Sequence, residues 1–433
     1  MSLNQNITQK YAKKNVRFSA MVFFNDKTYY DFSSEILEFE MRYALNTFPF
    51  GNFLWNDVEG NLYNRFILSG GEPLRVAIST SNTNEGKIEQ HVEELVIYAI
   101  NMEDINVPGE ASKGRIRVFF CSSSSLKNAK TLVRRGWRGT KQISSIVEDL
   151  CVDHLNISKK ELDIRPTLNT MDNFIAPNKR PKEIIDYLKK QSLFNGKDDF
   201  YVFFKNRSGY HFRPMAEYVL ATPKTAFNRS MGTSKQIISA VEITSESTKK
   251  GFDLMEGLLN ETFGKTFVSF DRKTKKLTSQ TCKMDSDYLN RVAKLGKYNY
   301  YNKSFLEDIE QSAYVVESKP HLTGHLNYPI YSNLFQNIMI EVTLPGNLIV
   351  DVGDIVSITH LASQLERNSS WSGLWMILGM NVTYSTVSET NQLAEYNFET
   401  SYTLVKLGYN IIHNDCEGSS SVIKSKRNIN KVD

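Results

Sequence analysis

IAPNKRPKEIIDYLKKQSLFNGKDDFYVFFKNRSGYHF, residues 175–212, holds an extended turn, an amphipathic helix and an aromatic hairpin in one run. Pro177 and Pro181 bracket the turn, and Pro181 stands where a fixed φ and a missing N–H suit a first helical turn. The helix expected over Arg180 to Gln191 sets Ile184, Ile185 and Leu188 on one face. Lys182, Glu183, Asp186, Lys189 and Lys190 take the solvated side. After Asn195-Gly196, Phe200 to Phe212 is aromatic and β-branched, and Asn206 to Gly209 is suited to close a hairpin. No catalytic set lies in this stretch, and it reads as scaffold.

Strand patterns lie on both sides of this module. Upstream, Val16 to Phe24, Ile36 to Arg42, Asn61 to Ser69, Val92 to Ile100 and Arg115 to Phe120 are expected as strands of one β domain. Pro49-Phe-Gly51 and Glu59-Gly60 are expected as turns, and the polar run between Ile78 and Gln90 as a loop. Ser122 to Asn128 marks a boundary, and Gln142 to Asn156 follows with Ile143, Ile146, Val147 and Leu150 at helical spacing. Downstream, Lys235 to Ile243 reads as a strand, Thr248 to Leu259 as helix or loop, and Phe263 to Leu277 as a hairpin turning at Asp271 to Lys275. Long strands are expected over Tyr328 to Leu344, Ile349 to His360, Gly373 to Tyr384 and Asn397 to Leu407. Gly346 reads as the positive-φ residue of a type II turn, and Val352-Gly353-Asp354 as a tight corner before a strand.

With 433 residues, the chain exceeds one ordinary core, so several domains are expected. Its 25 Phe, 21 Tyr and four Trp favour strands. Lys plus Arg number 52 against 48 Asp plus Glu, an excess too small to indicate nucleic-acid binding. Cys121, Cys151, Cys282 and Cys416 show no C-x-x-C spacing and read as reduced thiols of a protein made in the cytoplasm. Met1 to Asn15 is polar, and no apolar run approaches the ~18 residues of a membrane helix, so neither a classical secretory signal nor a bilayer span is expected.

Candidate chemistry fails on its own terms. Gly264-Lys265-Thr266 ends like a P-loop, but the earlier glycine that wraps phosphate is replaced by Leu259. His321 and His325 have the spacing of a helical metal pair, yet Pro320 and Gly324 spoil the helix and no glutamate follows His321. Cys151 and His154 lie on a helix whose apolar stripe adjoins Cys151, which reads as a core thiol. Asp351 with Asp354, and Asp285 with Asp287, read as turn residues rather than paired catalytic carboxylates. Lys127, Lys130, Arg134, Arg135 and Arg138, interleaved with Trp137, form a basic cluster that reads as a solvated or intersubunit face, with nucleic acid as the other reading. No catalytic, cofactor-binding or metal residue is therefore expected, and no cofactor.

The order of modules resembles the central hub protein of phage baseplates, which joins the tail tube to the membrane-piercing spike in contractile-tailed phages and is related to the hub part of type VI secretion spikes. Tyr30-Asp-Phe32, Ile36 to Arg42 and Phe53-Leu54 look like the opening strands of a first tube domain. Ser122 to Arg138 is similar to the family's passage out of it, and Ile175 to Phe212 is the nearest match. Pro345-Gly-Asn347, Gly353 to Val356, Ser372 to Trp375 and Tyr402 to Lys406 resemble closing strands of a second tube domain. The likeness covers roughly residues 15–410.

The expected fold is α+β, mostly β, with two antiparallel β-barrel-like tube domains and α/β insertions. Residues 1–121 are expected as the first tube domain, 122–204 as a helical or α+β insertion, 205–245 and 327–410 as the second tube domain, 246–326 as an insertion within it, and 411–433 as a flexible basic tail. The resemblance implies a homotrimer whose six tube domains make a pseudo-hexameric ring, a symmetry adapter between a six-fold tube and a three-fold spike. Edge strands paired across subunits would close that ring. Implied partners are further copies of the chain, the spike protein, the tail tube protein and other baseplate proteins, with DNA passing through the lumen without specific binding and no stable membrane insertion. The implied location is the virion tail baseplate. A tail-associated cell-wall hydrolase and a receptor- or carbohydrate-binding tail protein are the alternatives from other classes.

Overall fold

Phe39, Met41 and Tyr43 alternate with Glu38, Glu40 and Arg42, and a strand lets the first set face a core while the second faces water. The same logic recurs in Ile116, Val118 and Phe120 and in Leu74, Val76 and Ile78, all buried. In the computed structural model the described residues are 16–25, 28–57, 67–81, 88–103, 114–194, 201–219, 221–229, 241–250, 255, 264–271, 274–283, 313–317, 338–346, 348–360, 373–387 and 395–409.

The first segment contains β1 (Val16–Phe23), β2 (Tyr29–Asp31), β3 (Ile36–Ala44), β4 (Phe50–Asp57), β5 (Pro73–Ser81), β6 (Ile88–Glu103) and β7 (Gly114–Ser122). Antiparallel pairs run β1–β5–β6–β7–β4–β3. β2 pairs back onto β1 and leads through the chain directly into β3, so the strand order returns to its start through the covalent connection at that corner. The corner is fixed by the Phe32 N–H donating to the Ala20 carbonyl at 2.9 Å and the Asn56 N–H to the Glu35 carbonyl at 2.9 Å.

The middle segment contains α1 (Ser123–Lys130), β8 (Gly136–Gln142), α2 (Ile143–Asp149), β9 (Leu162–Ile164), β10 (Thr170–Ile175), α3 (Pro181–Lys189), β11 (Tyr201–Asn206), β12 (Gly209–Pro214) and α4 (Met215–Val219). Ser122 caps α1 by accepting from the Ser125 N–H, and a π-helical turn, Leu150–His154, continues α2. Helix α3 buries Ile184, Ile185 and Leu188 as the sequence requires. Strand β11 is buried on both faces: Val202 and Phe204 point into the core of the large sheet, while Tyr201 and Phe203 join a second core with Trp137, Ile146, Leu188 and Phe212. The hairpin thus binds two cores together.

The last segment contains β13 (Thr225–Arg229), β14 (Val241–Glu242), β15 (Ser245–Lys250), β16 (Gly264–Asp271), β17 (Lys276–Lys283), β18 (Ala313–Glu317), β19 (Met339–Pro345), β20 (Ile355–His360), β21 (Gly373–Val387) and β22 (Glu395–Tyr409). Pairs run β13–β20–β21–β22–β19–β15, and β14, just ahead of β15, pairs back onto β13. The Ile243 N–H reaches the Asn228 carbonyl and the Thr244 N–H the Thr343 carbonyl, both at 2.9 Å, so one short segment bridges the two margins of this circuit too. Strands β16 to β18 form a separate three-stranded sheet. The fold is mostly β with large antiparallel sheets, as expected.

Several local expectations are corrected. Pro49-Phe-Gly51 is not a turn: β4 starts at Phe50, and Gly51 is a glycine because a Cβ there would collide with the Glu40 carbonyl and lie 2.7 Å from Phe120 Cζ. Ile78 to Ser81 and Ile88 to Gln90 are paired strand ends, since backbone pairing tolerates polar side chains on an exposed hairpin. Thr248 to Lys250 belongs to a strand. Gly346 does not have a positive φ; its Cβ would fall inside the Phe398 ring, so close approach explains the glycine. Gly353, at φ +93, does make the corner before β20. Lys189 is buried rather than solvated, its ammonium held by Asp186 at 2.8 Å and Asn46 Oδ1 at 2.7 Å. The boundary expected between 204 and 205 falls inside β11, which pairs along its length with β12. Asn61 to Phe66, Lys235 to Ala240 and Tyr328 to Asn337 lie outside the described residues.

Candidate assembly interface

The two strand circuits are joined edge to edge. β3 of the first runs antiparallel to β21 of the second, from Ala44 opposite Gly379 to Glu38 opposite Ser385. The Leu45 N–H extends the ladder to the Leu378 carbonyl at 2.8 Å. Glu40 faces this seam and accepts from Arg42 Nη2 at 2.6 Å and Asn381 Nδ2 at 2.8 Å. Partial burial would raise its carboxyl, but the hydrogen bonds from Arg42 and Asn381 outweigh that and hold it below the ordinary value. Phe18 of the first circuit stacks on Tyr384 of the second, ring centroids 4.8 Å apart.

Buried ion pairs lock the hairpin onto both circuits. Lys205 on β11 meets Glu93 on β6 at 2.5 Å, and Tyr43 on β3 donates its hydroxyl to the same carboxylate at 3.0 Å. His91 Nε2 lies 2.8 Å from the Tyr43 hydroxyl. Burial pushes the Glu93 carboxyl up, but the His91 hydrogen bond and the Lys205 charge together bring it below its ordinary value. Burial likewise pulls Lys205 down, and Glu93 more than reverses it. Arg207, at the hairpin turn, bonds Asp351 through Nε at 3.0 Å and through its own N–H at 2.8 Å, and reaches the Val350 carbonyl at 2.8 Å. Lys224 pairs with Asp354 at 2.8 Å. A polar cleft of about 340 Å³ lies beside these groups, lined by His91, Asn206, Arg207, Ser208, Lys224 and Asp351.

Residue by residue, the circuits repeat one plan. The Gly71 N–H donates to the Ile97 carbonyl at 2.7 Å and the Ile97 N–H to the Glu72 carbonyl at 3.0 Å; in the second circuit Gly353, Ile377 and Asp354 make the same two bonds at 2.9 and 3.0 Å. A bulge follows each isoleucine, at Tyr98 and at Leu378. Phe120 opposite Gly51 corresponds to Leu404 opposite Ile340, large with none in one circuit and medium with medium in the other. One element is reversed: β1 is antiparallel to both neighbours, β13 parallel to both.

Among the strands described, β15 and the end of β6 pair on one side alone. Beyond Ile97, β6 is paired only on its β7 side, leaving Tyr98 48% and Met102 54% exposed. β15 is paired only with β19.

The residues weighed from sequence sit as structural groups. Gly264, Lys265 and Thr266 are in β16, paired with β17. Cys151 is a free, buried thiol that burial pushes far up, and Cys121 is also free and buried. Asp351 and Asp354 cap the corner before β20, the Asp351 N–H bonding Asp354 Oδ2 at 2.8 Å. Trp137 is a core residue whose Nε1 donates to Asp149 at 2.8 Å, and Arg135 lies over its ring while pairing with Asp153, so Trp137 is not available as a surface stacking platform. Lys127, Lys130, Arg134 and Arg138 are exposed. His321, His325, Asp285 and Asp287 lie outside the described residues. Among the described residues no group of three or more His, Cys, Asp or Glu side chains is placed to hold a metal ion, and no helix is long and apolar enough to cross a membrane. The Glu93 cluster, the Arg207 clamp and the repeated plan escaped sequence reading. Their traces are slight: Ile97-x-Ala99-x-Asn101 against Ile377-x-Gly379-x-Asn381, and a glycine followed by an acid ahead of β5 and β20.

No family model and no curated protein matches the chain by sequence. Among solved structures it is similar to a tail protein from Neisseria meningitidis MC58, with TM-score 0.55 and 10% identity over 90% of this chain and 96% of that one. It is similar also to the 43 kDa tail protein of prophage MuSo2 from Shewanella oneidensis, with TM-score 0.54 and 8% identity over 91% and 99%. A looser likeness, TM-score 0.46 at 8% identity over 90% and 78%, is to the E. coli c3393 protein, a component of the type VI secretion system. The fold is that of phage tail proteins.

Proposed function

We propose that the chain is a baseplate hub protein, three copies of which close into a ring that joins the tail tube to the central spike and assists penetration of the host envelope. The observation that carries this reading is the pair of circuits with one strand order, joined edge to edge through β3 and β21. A chain holding two like units side by side meets a six-fold tube on one side and a three-fold spike on the other when three copies assemble. The circuits act as tube domains, with the insertion around α2, α3 and the β11–β12 hairpin bracing the seam. Partners are further copies of the chain, the spike, the tail tube protein and other baseplate proteins, in a virion tail. DNA passes through the lumen without specific binding. The role is shape, not catalysis.

Obligate rings of this kind bury on the order of 2,000 Å² or more per interface. The full-length chain is therefore expected to show the mass of three copies in native mass spectrometry. A chain that stays single at high concentration, with and without the spike protein, contradicts the proposal. Incubation with purified cell wall is expected to release no soluble fragments; release assigns a hydrolase instead.

A further inference from the structure

We infer that the outer face formed by residues 130–138 and 175–180 docks a short acidic segment of another protein, one that carries aliphatic side chains on either side of a carboxylate. The inference stands on a single chain and does not depend on the ring. The Ala176 N–H donates to the Arg135 carbonyl at 2.8 Å and the Val133 N–H to the Lys179 carbonyl at 2.9 Å, so the two stretches run side by side and continue the β8–β10 pair. Val133, Trp137, Phe174 and Ala176 are buried on the inner side. Alternation then turns Leu132, Arg134 and Ile175 outward, and all three are exposed. Ile175 is opposite Gly136 and stands over its backbone, where a Cβ would lie 3.8 Å from Ile175 Cγ1. Leu132, 52% exposed, and Ile175, 75% exposed, thus flank Arg134, set about 13 Å apart by four extended residues.

The charge on this face has one sign. No Asp or Glu occurs in 123–147 or in 173–182, although the whole chain carries 48 acids against 52 bases. Lys130, Arg134, Arg138, Lys179 and Arg180 are exposed, and among the described residues none of them pairs with a carboxylate. Asp172, further along β10, accepts from the Thr140 hydroxyl at 2.6 Å. Arg134 is oriented by Asn178, whose Oδ1 accepts from its Nε at 2.9 Å. A carboxylate-rich segment meets these cations, and its aliphatic side chains take Leu132 and Ile175 out of water. Nucleic acid fits less well, because the neighbouring rings of Trp137 and Phe174 are buried and the apolar surface on offer is aliphatic.

The test uses the full-length chain and a fluorescein-labelled peptide, ELEDELED, whose leucines are spaced as Leu132 and the Gly136 position are. Fluorescence anisotropy is expected to show saturable binding that weakens with added salt. It is expected to weaken about tenfold or more for I175S, for R134E/R138E, and when both leucines of the peptide are serine. The substituted residues are exposed, so the variants are expected to keep the native mass of the unchanged chain. No binding of the leucine peptide, tighter binding of a thymidine oligonucleotide, or equal binding by the variants overturns the docking inference and leaves the ring proposal standing. A native mass that falls for R134E/R138E assigns this face to contacts between copies and overturns the inference as well.

Discussion

Glu93 is a carboxylate in a nearly closed environment, and it stays charged because Lys205, His91 and Tyr43 converge on it. Removing one partner of such a pair leaves a bare buried charge, so K205M is expected to lower stability by about 3–5 kcal/mol. E93Q/K205M, which retains an acceptor for Tyr43, is expected to recover most of that loss, both read as shifts in the urea midpoint. The folded carboxyl sits below its unfolded value, so its contribution is complete above the ordinary carboxylate value of about 4.3 and fades as pH falls through the folded value. The stability gap between the native chain and K205M should therefore narrow in acid. Gly51 makes a second prediction at this scale. G51A must push β3 and β4 apart against the Glu40 carbonyl, and a loss of about 3 kcal/mol is expected in the same measurement. Neither residue announces its role in sequence, because a lone Glu in an alternating strand looks like any solvated one.

The hairpin of β11 and β12 is the element that ties the parts together, Val202 and Phe204 of β11 lying in one core and Tyr201, Phe203, Tyr210 and Phe212 in the other. Its turn is pinned by Arg207 to Asp351 and to the Val350 carbonyl. R207A is expected to speed amide exchange across 201–214 by tenfold or more while leaving β21 and β22 protected; unchanged exchange would remove the clamp from this account. Helix α3 and this hairpin were legible because period, proline position and turn residues agree locally. The circuits were legible only as strands. β15 escaped because a strand with no apolar residue gives hydropathy nothing to register, and β4 because its glycine serves a close contact rather than a turn. The repeat itself stayed hidden because each circuit fills its core differently, Gly51 with Phe120 in one and Ile340 with Leu404 in the other.

At the scale of the whole molecule, one chain contains two strand circuits of one design and a seam between them. No single residue implies this; it follows from register, which sequence patterns leave open when both faces of a strand are used. In the ring we propose, the seam within the chain makes one of two alternating contacts between like units, and contacts between copies supply the other. The most direct measurement is electron microscopy of the purified full-length chain, averaged without imposed symmetry. The account predicts rings of three-fold symmetry whose inner wall shows six near-equal lobes. Rings of any other symmetry, or particles of a single chain, would contradict it.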